Sequence, residues 1–476
     1  ISMDKYAIED LGIPGFVLMQ RAGAAGFEVL RRTWPEARRV AVVCGGGNNG
    51  GDGYVIARQA LDAHFEVQVF AMMSPDLLQG DAKTAYETYM AAGGRVIMGP
   101  PMGLEGVDVV VDALFGTGLD REVTGDYAHA ITAINRFSGG VLAVDIPSGL
   151  HADTGSIMGC AVEAAATVSF IGLKQGMFTA EGPSCCGRVW YADLTVPEVV
   201  LEYQPPAARL WNEYSNLLPP RRRSAHKGHF GHVLVVGGDA GYTGAVRMTA
   251  EAAARTGAGL VSVATRSAHA STLITGCPEI MSHGVETTTE LQTLLARASV
   301  VAIGPGLGQS GWARSLFQLV CESNLPMVVD ADALNLLAQN PNYRDNWVLT
   351  PHPGEAARML GSETREIQQD RFAALRRLSE KYGGICILKG CGTLIGGEDR
   401  VPGVCGLGNP GMATGGMGDV LTGILCGLIA QGLEMFDAAR MGVCLHAAAA
   451  DAEASGGQRG LLATDLMPWI RRLVNR

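Results

Sequence analysis

An aspartate stands directly after the glycine-rich run Thr414, Gly415, Gly416, Met417, Gly418, where a long apolar stretch begins. At a helix start the backbone amides point outward with the positive end of the dipole behind them, and phosphate is held there. A carboxylate beside that phosphate can take the proton of an attacking hydroxyl, so Asp419 is the candidate general base of a phosphoryl transfer. No lysine follows in G-K-[ST] form, which sets this loop apart from a Walker A element. Two further aspartates, Asp112 in VDALFGTGLDRE and Asp145 in VDIPSGL, each close an apolar run of strand length. A carboxylate so placed stands at the strand edge where ligands of open α/β sheets bind, and the sequence leaves both open as functional groups. Capping of the following turns is the plain alternative.

A third candidate is CGGGNNGGDGYVIAR, Cys44 to Arg58. Gly45, Gly47 and Gly50 satisfy G-x-G-x-x-G between a predicted strand and helix, the fingerprint of a dinucleotide fold. A redox Rossmann site also needs a carboxylate at the end of its second strand to hold the ribose. Here that strand runs out in Val-Phe-Ala-Met-Met, and Asp76 comes only after Ser74 and Pro75. Asn48, Asn49 and Asp52 instead crowd the loop itself, with carbonyl and carboxylate oxygens that can coordinate a cation or grip a sugar. Ligands of open α/β sheets bind at the carboxyl edge of the strands, so Asn49, Asp112, Asp145 and Ser148 are expected to face one crevice.

Parallel strands must carry these residues, and apolar runs of strand length do alternate with amphipathic helical stretches throughout, which predicts an α/β fold. The first series of predicted strands covers 40–44, 66–70, 107–111, 141–145, 167–171 and 189–191. Their unbroken apolar character is that of strands covered on both faces. The pattern stops between Gln204 and His226, where Pro205, Pro206, Pro219 and Pro220 accompany three consecutive arginines. A junction there gives domains 1–208 and 209–476. A second series follows at 233–236, 260–264, 300–303, 327–330, 347–349 and 386–389, closing with helices near 418–431 and 435–454. No repeat of fixed period is present, so the two domains differ in kind.

A chain of 476 residues exceeds what one core normally serves. With 47% hydrophobic and 18% charged residues it is globular and rich enough for buried sheets. Acidic residues outnumber basic ones by 47 to 37, and the one dense basic run lies among prolines, which argues against nucleic acid as a partner. The eleven cysteines form no CxxC pair and read as buried thiols of a cytosolic protein. The apolar run 420–433 falls short of the roughly 20 residues that span a bilayer, so no membrane partner is expected. The residues after Ile1, with Asp4, Glu9 and Asp10, lack the basic and apolar regions of a signal peptide, and a cytoplasmic location is expected.

NNGGDG, DALFGTG and DIPSG, in this order and spacing over about residues 1–205, resemble the epimerase domain of the bifunctional NAD(P)H-hydrate repair enzymes. The resemblance implies a Rossmann-like three-layer domain that meets hydrated NADH or NADPH as reactant. Asn48, Asn49, Gly50, Gly51 and Asp52, with Gly116, Thr117, Gly118, Leu119, Asp120, Arg121 and Glu122, would surround its phosphates and sugars. Asp145 would contact it, and Asn49, Asp112 and Ser148 would hold a potassium ion.

In the second part HKGHFGHVLVVGG, Gly244-Ala245, IGPGLG, LTPHPGE, ILKGCGT and TGGMGD resemble, across about residues 210–476, the ADP- or ATP-dependent NAD(P)H-hydrate dehydratases. The last of these is similar to the anion hole of the ribokinase-like superfamily. The resemblance implies a ribokinase-like α/β domain in which Lys389, Gly390, Cys391, Gly392 and Thr393, with Asn409 and Thr414 to Gly418, hold ADP and its magnesium. Ala245, Gly306, Gly308, His352 and Asp419 would line the hydrate pocket. The implied reaction passes a phosphoryl group to the ring hydroxyl, because hydroxide leaves poorly and phosphate leaves well. Lys389 could offset charge on that group, as lysines do elsewhere. Asp239 departs from the family, where serine is more usual. A homo-oligomer is expected, although the apolar helix face 16–30 is assigned to the core.

His226, His229 and His232 repeat every third residue, which invites a metal site, yet Gly228 and Gly231 interrupt any helix and His232 opens a strand, so convergence is not expected. His352, between two prolines, reads as a functional loop residue or a structural turn histidine. The rival enzyme reading is a small-molecule kinase with a nucleotide-binding regulatory domain. A non-catalytic sensor is a third reading, disfavoured by the presence of both Asp112 and Asp145.

Overall fold

The computed structural model describes residues 2–214 and 218–475. It divides into two compact units, Ile1–Ala207 and Ala208–Arg476. Positions 215–217 of the proline-rich junction lie outside the described residues.

Among its described residues unit 1 holds seven strands: β1 (Arg39–Cys44), β2 (Glu66–Ala71), β3 (Val96–Met98), β4 (Val109–Ala113), β5 (Gly140–Val144), β6 (Ala166–Phe170) and β7 (Arg188–Ala192). They form one parallel sheet in the order β3-β2-β1-β4-β5-β6-β7. Strand side chains alternate between faces. Val40, Val42 and Cys44 accordingly enter one core and Ala41 and Val43 the other. Helices cover both faces, which is why the predicted strands read as unbroken apolar runs. The helix Gly15–Thr33 buries Leu18, Met19, Ala22, Phe27, Val29 and Leu30 in the first of these cores. Strand β4 begins two residues later than predicted, and just before it the Asp108 carboxylate accepts from the amides of Arg38 and Arg39, both at 2.9 Å. The sheet's order reverses between β1 and β4, and a crevice opens at such a switch point.

Unit 2 builds a larger sheet from β8 (Arg209–Trp211), β9 (His232–Val236), β10 (Leu260–Thr265), β11 (Met281–Gly284), β12 (Val300–Ile303), β13 (Met327–Val329), β14 (Trp347–Leu349), β15 (Ile385–Leu388), β16 (Leu394–Gly397) and β17 (Gly403–Cys405). The order is β11-β10-β9-β12-β13-β14-β15-β16-β17-β8, with β16 antiparallel to both its neighbours. Its switch point lies between β9 and β12. The helix Met417–Ala430 is buried on nearly every side and lies against Thr243–Thr256. Gly423 permits that approach, since a Cβ there would come within 2.1 Å of the Thr249 carbonyl oxygen. Among the described residues no helix is long and apolar enough to cross a membrane.

Candidate functional sites

Asn48, Asn49 and Asp52 were expected in a loop, but they form the first turns of the helix Asn48–Asp62. The chain passes from β1 through three glycines straight into that helix. A Cβ on Gly45 or Gly50 would come within 2.0 or 2.1 Å of a backbone oxygen, so neither position admits a side chain. The tight turn buries Asn49 against β4. Its Nδ2 donates to the Phe115 carbonyl at 2.9 Å, and its buried Oδ1 accepts no hydrogen bond.

Asp112 stands one residue before the end of β4 and is 0% exposed. It accepts from Ser148 Oγ at 2.6 Å, from the Ser148 amide at 2.8 Å and from the Leu114 amide at 3.2 Å. Burial pushes its carboxyl up to about 6, against the pull of those hydrogen bonds. The Phe115 amide donates to Ser148 Oγ at 2.8 Å, so Asn49 and Ser148 both bond to Phe115, and Asp112 joins them through Ser148. An orphaned amide oxygen beside carbonyl, hydroxyl and carboxylate oxygens is a donor set suited to a hard cation such as potassium.

Asp145 follows β5 with φ +66°, a conformation that side chains other than glycine seldom adopt. Its carboxylate pairs with the Lys174 ammonium, which also donates to Ser169 Oγ at 3.0 Å and the Phe170 carbonyl at 3.1 Å. Asp52 is held well above the usual carboxylate range by burial, reinforced by Asp145 and Asp4, while Lys174 works the other way. Sequence reasoning missed Lys174, although a lysine four residues beyond a buried strand was its signal. Gly116 lies against Asn49, Leu119 packs among apolar side chains, and Asp120, Arg121 and Glu122 are exposed.

In unit 2 the carboxyl edge gathers a charged cluster. Asp330 directly follows β13, is 1% exposed, and accepts from Lys389 Nζ at 2.8 Å and Thr422 Oγ1 at 3.0 Å. Burial opposes its ionisation, but the lysine charge and these hydrogen bonds prevail and hold its carboxyl below the usual range. Lys389 correspondingly stays protonated despite burial, with Asp330 and Glu355 as its main anions. Glu355, 3.9 Å from Lys389 Nζ, is raised to about 7 by burial. Asp419 sits in the first turn of the helix Met417–Ala430, and burial, with Asp330 next, raises it to about 7.

Three expected ligands have structural duties. His352 caps the helix Pro353–Leu360: its Nδ1 accepts from the Gly354 amide at 3.0 Å, and its own amide donates to Glu355 Oε2 at 2.8 Å. Asn409 donates to Asp451 at 2.8 Å and accepts from the Gly411 amide at 3.0 Å. Thr393 Oγ1 donates to the Gly390 carbonyl at 3.0 Å. Gly306 packs on Tyr242 and Ala245, while the Gly308 amide donates to Asp332 at 2.8 Å. The departure at Asp239 is accommodated by Arg266, whose Nε donates to it at 2.8 Å. Thr414 and Gly415 are exposed. His226 and His229 stack 3.8 Å apart, whereas His232 bonds to the Arg297 carbonyl and Ser262.

Residues 15–176 match the family described as YjeF-related protein N-terminus, and residues 233–472 the family described as NAD(P)H-hydrate dehydratase. The chain is 50% identical to the bifunctional NAD(P)H-hydrate repair enzyme Nnr of Coxiella burnetii, over 99% of this chain and 97% of that one. It is 44% identical to the Escherichia coli enzyme of the same name, over 99% and 92%. A ribokinase-like superfamily protein from Enterococcus faecalis superposes with a TM-score of 0.53 at 29% identity, over 57% of this chain and 97% of its own. The ADP/ATP-dependent NAD(P)H-hydrate dehydratase from Bacillus subtilis, co-crystallized with ATP/Mg2+, superposes with a TM-score of 0.50 at 28% identity, over 54% and 94%. Unit 2 is thus ribokinase-like, and with both families matched and near full-length similarity, the chain belongs to the bifunctional NAD(P)H-hydrate repair enzymes, which join an epimerase to a dehydratase.

Proposed function

We propose that residues 1–208 interconvert the R and S epimers of hydrated NADH and NADPH, and that residues 209–476 return the S form to NAD(P)H at the expense of ADP. The observation that carries the second half is Asp419, a carboxylate raised to about 7 at the head of a buried helix. A base is most effective when its pKa lies near the working pH. Asp419 takes the proton of the ring hydroxyl as that oxygen attacks the terminal phosphorus of ADP, and the bond to AMP breaks. Phosphate then departs with the carbon–oxygen bonding electrons while the neighbouring ring carbon gives up a proton, leaving NAD(P)H. Lys389, fixed by Asp330, offsets charge on the transferring group. Magnesium bound with the nucleotide would neutralise phosphate charge, with Glu355 as a carboxylate able to share it while Asp419 stays free as the base.

In the first half, Asn49, Asp112 and Ser148 would hold potassium through oxygen, and the ion supplies fixed positive charge. Asp145 and Lys174 form the acid–base pair nearest in kind to a hydroxyl's loss and return, with Asp52 as a protonated neighbour. This reading goes with a cytoplasmic homo-oligomer whose partners are the two hydrates and ADP. The test is to incubate the purified chain with mixed epimers of hydrated NADH plus ADP and follow reduced-nicotinamide absorbance. Full recovery, with AMP and phosphate in equal amounts, is expected. A stable phosphorylated product without NADH would sink the repair reading in favour of a kinase.

A further inference from the structure

Arg371 opens the helix Arg371–Tyr382 and is 0% exposed. Its guanidinium reaches into the turn that joins β15 to β16. Nη2 donates to the carbonyls of Leu388 at 3.1 Å, Lys389 at 3.3 Å and Gly392 at 3.5 Å, and Nη1 donates to Gln368 Oε1 at 2.8 Å. Gly390, between them, has φ +139°, and a Cβ there would come within 2.6 Å of Nη1. The turn is therefore moulded on the arginine head. In a trans peptide the amide that follows a carbonyl points the opposite way. Drawing the Lys389 and Gly392 carbonyls inward turns the amides of Gly390 and Thr393 away from the guanidinium.

We infer that Arg371 is a positioning residue for the adenine nucleotide: it fixes the 389–393 turn in the shape that receives ADP without touching ADP itself. The inference rests on the reading of this turn as part of the nucleotide site. A planar fork with five donors can hold several carbonyls at once, whereas lysine presents a single ammonium on a flexible stem.

The test uses the full chain. Cys391, in the turn, is exposed, while the other cysteines are buried or partly so. In the unaltered protein, ADP should slow alkylation of Cys391 by iodoacetamide, read by peptide mass spectrometry. Absence of slowing would overturn the nucleotide-site reading and this inference with it. Arg371→Lys and Arg371→Met are then assayed with ADP varied. The KM for ADP should rise about tenfold in the first and about a hundredfold in the second, as expected for lost charge-assisted hydrogen bonds. Turnover at saturating ADP should stay within about threefold, and the KM for hydrate and the epimerisation rate should not move. If ADP protects Cys391 but Arg371→Lys leaves the KM for ADP unchanged, the assignment of Arg371 fails and the nucleotide site stands. Equal weakening toward hydrate and ADP, the mark of general collapse, also overturns it.

Discussion

The Lys389 ammonium lies 2.8 Å from Asp330 Oδ1, and a Cβ on Gly418 would stand 3.2 Å from the same nitrogen. One buried carboxylate thus keeps a positive charge directly beneath the turn that begins the helix Met417–Ala430. Removing the lysine leaves Asp330 buried and uncompensated, and losing one member of such a pair typically costs about 3–5 kcal/mol. Lys389→Met should therefore lower the melting temperature and abolish dehydration. Adding Asp330→Asn should recover much of the stability and none of the activity. A double variant as unstable as the single one, measured by thermal unfolding, would show that the pair does not balance charge in this way.

Asp419 and Glu355 are both raised to about 7, the first by burial and Asp330, the second by burial. A base must be ionised to accept a proton, so dehydration is expected to rise with pH and level off above about 7. With two groups titrating together, the apparent values belong to the pair. Glu355→Gln should leave a rise no steeper than a single ionisation, and Asp419→Asn should abolish dehydration while epimerisation continues. Persistence of the full pH rise in an active Asp419→Asn enzyme would remove Asp419 as the base.

Much of this was legible in the sequence, because strands covered on both faces are unbroken apolar runs and the site residues sit where those runs end. The rule that singled out Asp112 and Asp145 applied equally to Asp330 in VVDADAL, yet Asp330 acts through Lys389, fifty-nine positions away, and no local pattern joins them. Lys174 likewise pairs with Asp145 twenty-nine positions away, and its place four residues beyond a buried strand was the one local signal it gave. Strands β3, β8, β11, β16 and β17 escaped because they are short and are half-exposed, polar or glycine-bearing. The caps made by Asn409 and His352 were not legible either, because a cap and a binding side chain are the same residue types in sequence and only their partners reveal the cap.

The orphaned Asn49 Oδ1 gives the potassium reading a measurable consequence. A cation bound to the folded state alone raises stability by mass action. Unit 1 should melt higher in potassium chloride than in choline chloride of equal concentration, and epimerisation should be faster. Asn49→Ala should erase both differences. A salt response that survives this substitution would mean that potassium acts elsewhere.

Lys174 offers the sharpest separation of the two activities. Its ammonium is held by Asp145, Ser169 and the Phe170 carbonyl, all at the carboxyl edge of β5 and β6. Loss of a positioned acid–base group typically slows its step by about 10²–10⁴-fold. With Lys174→Met, mixed epimers plus ADP should give a rapid phase from the S form, and the remaining hydrate should persist because its conversion has been slowed. Asp145→Asn should give the same two phases, since the amide keeps the strand-end turn but cannot exchange a proton with the lysine. Adding a catalytic amount of unaltered chain should restore the slow fraction to full recovery, as the defect lies in epimer exchange and not in dehydration. If either variant instead slowed both phases alike, the hydroxyl chemistry would not be divided between the units, and the acid–base role of the Asp145–Lys174 pair would fall with that division.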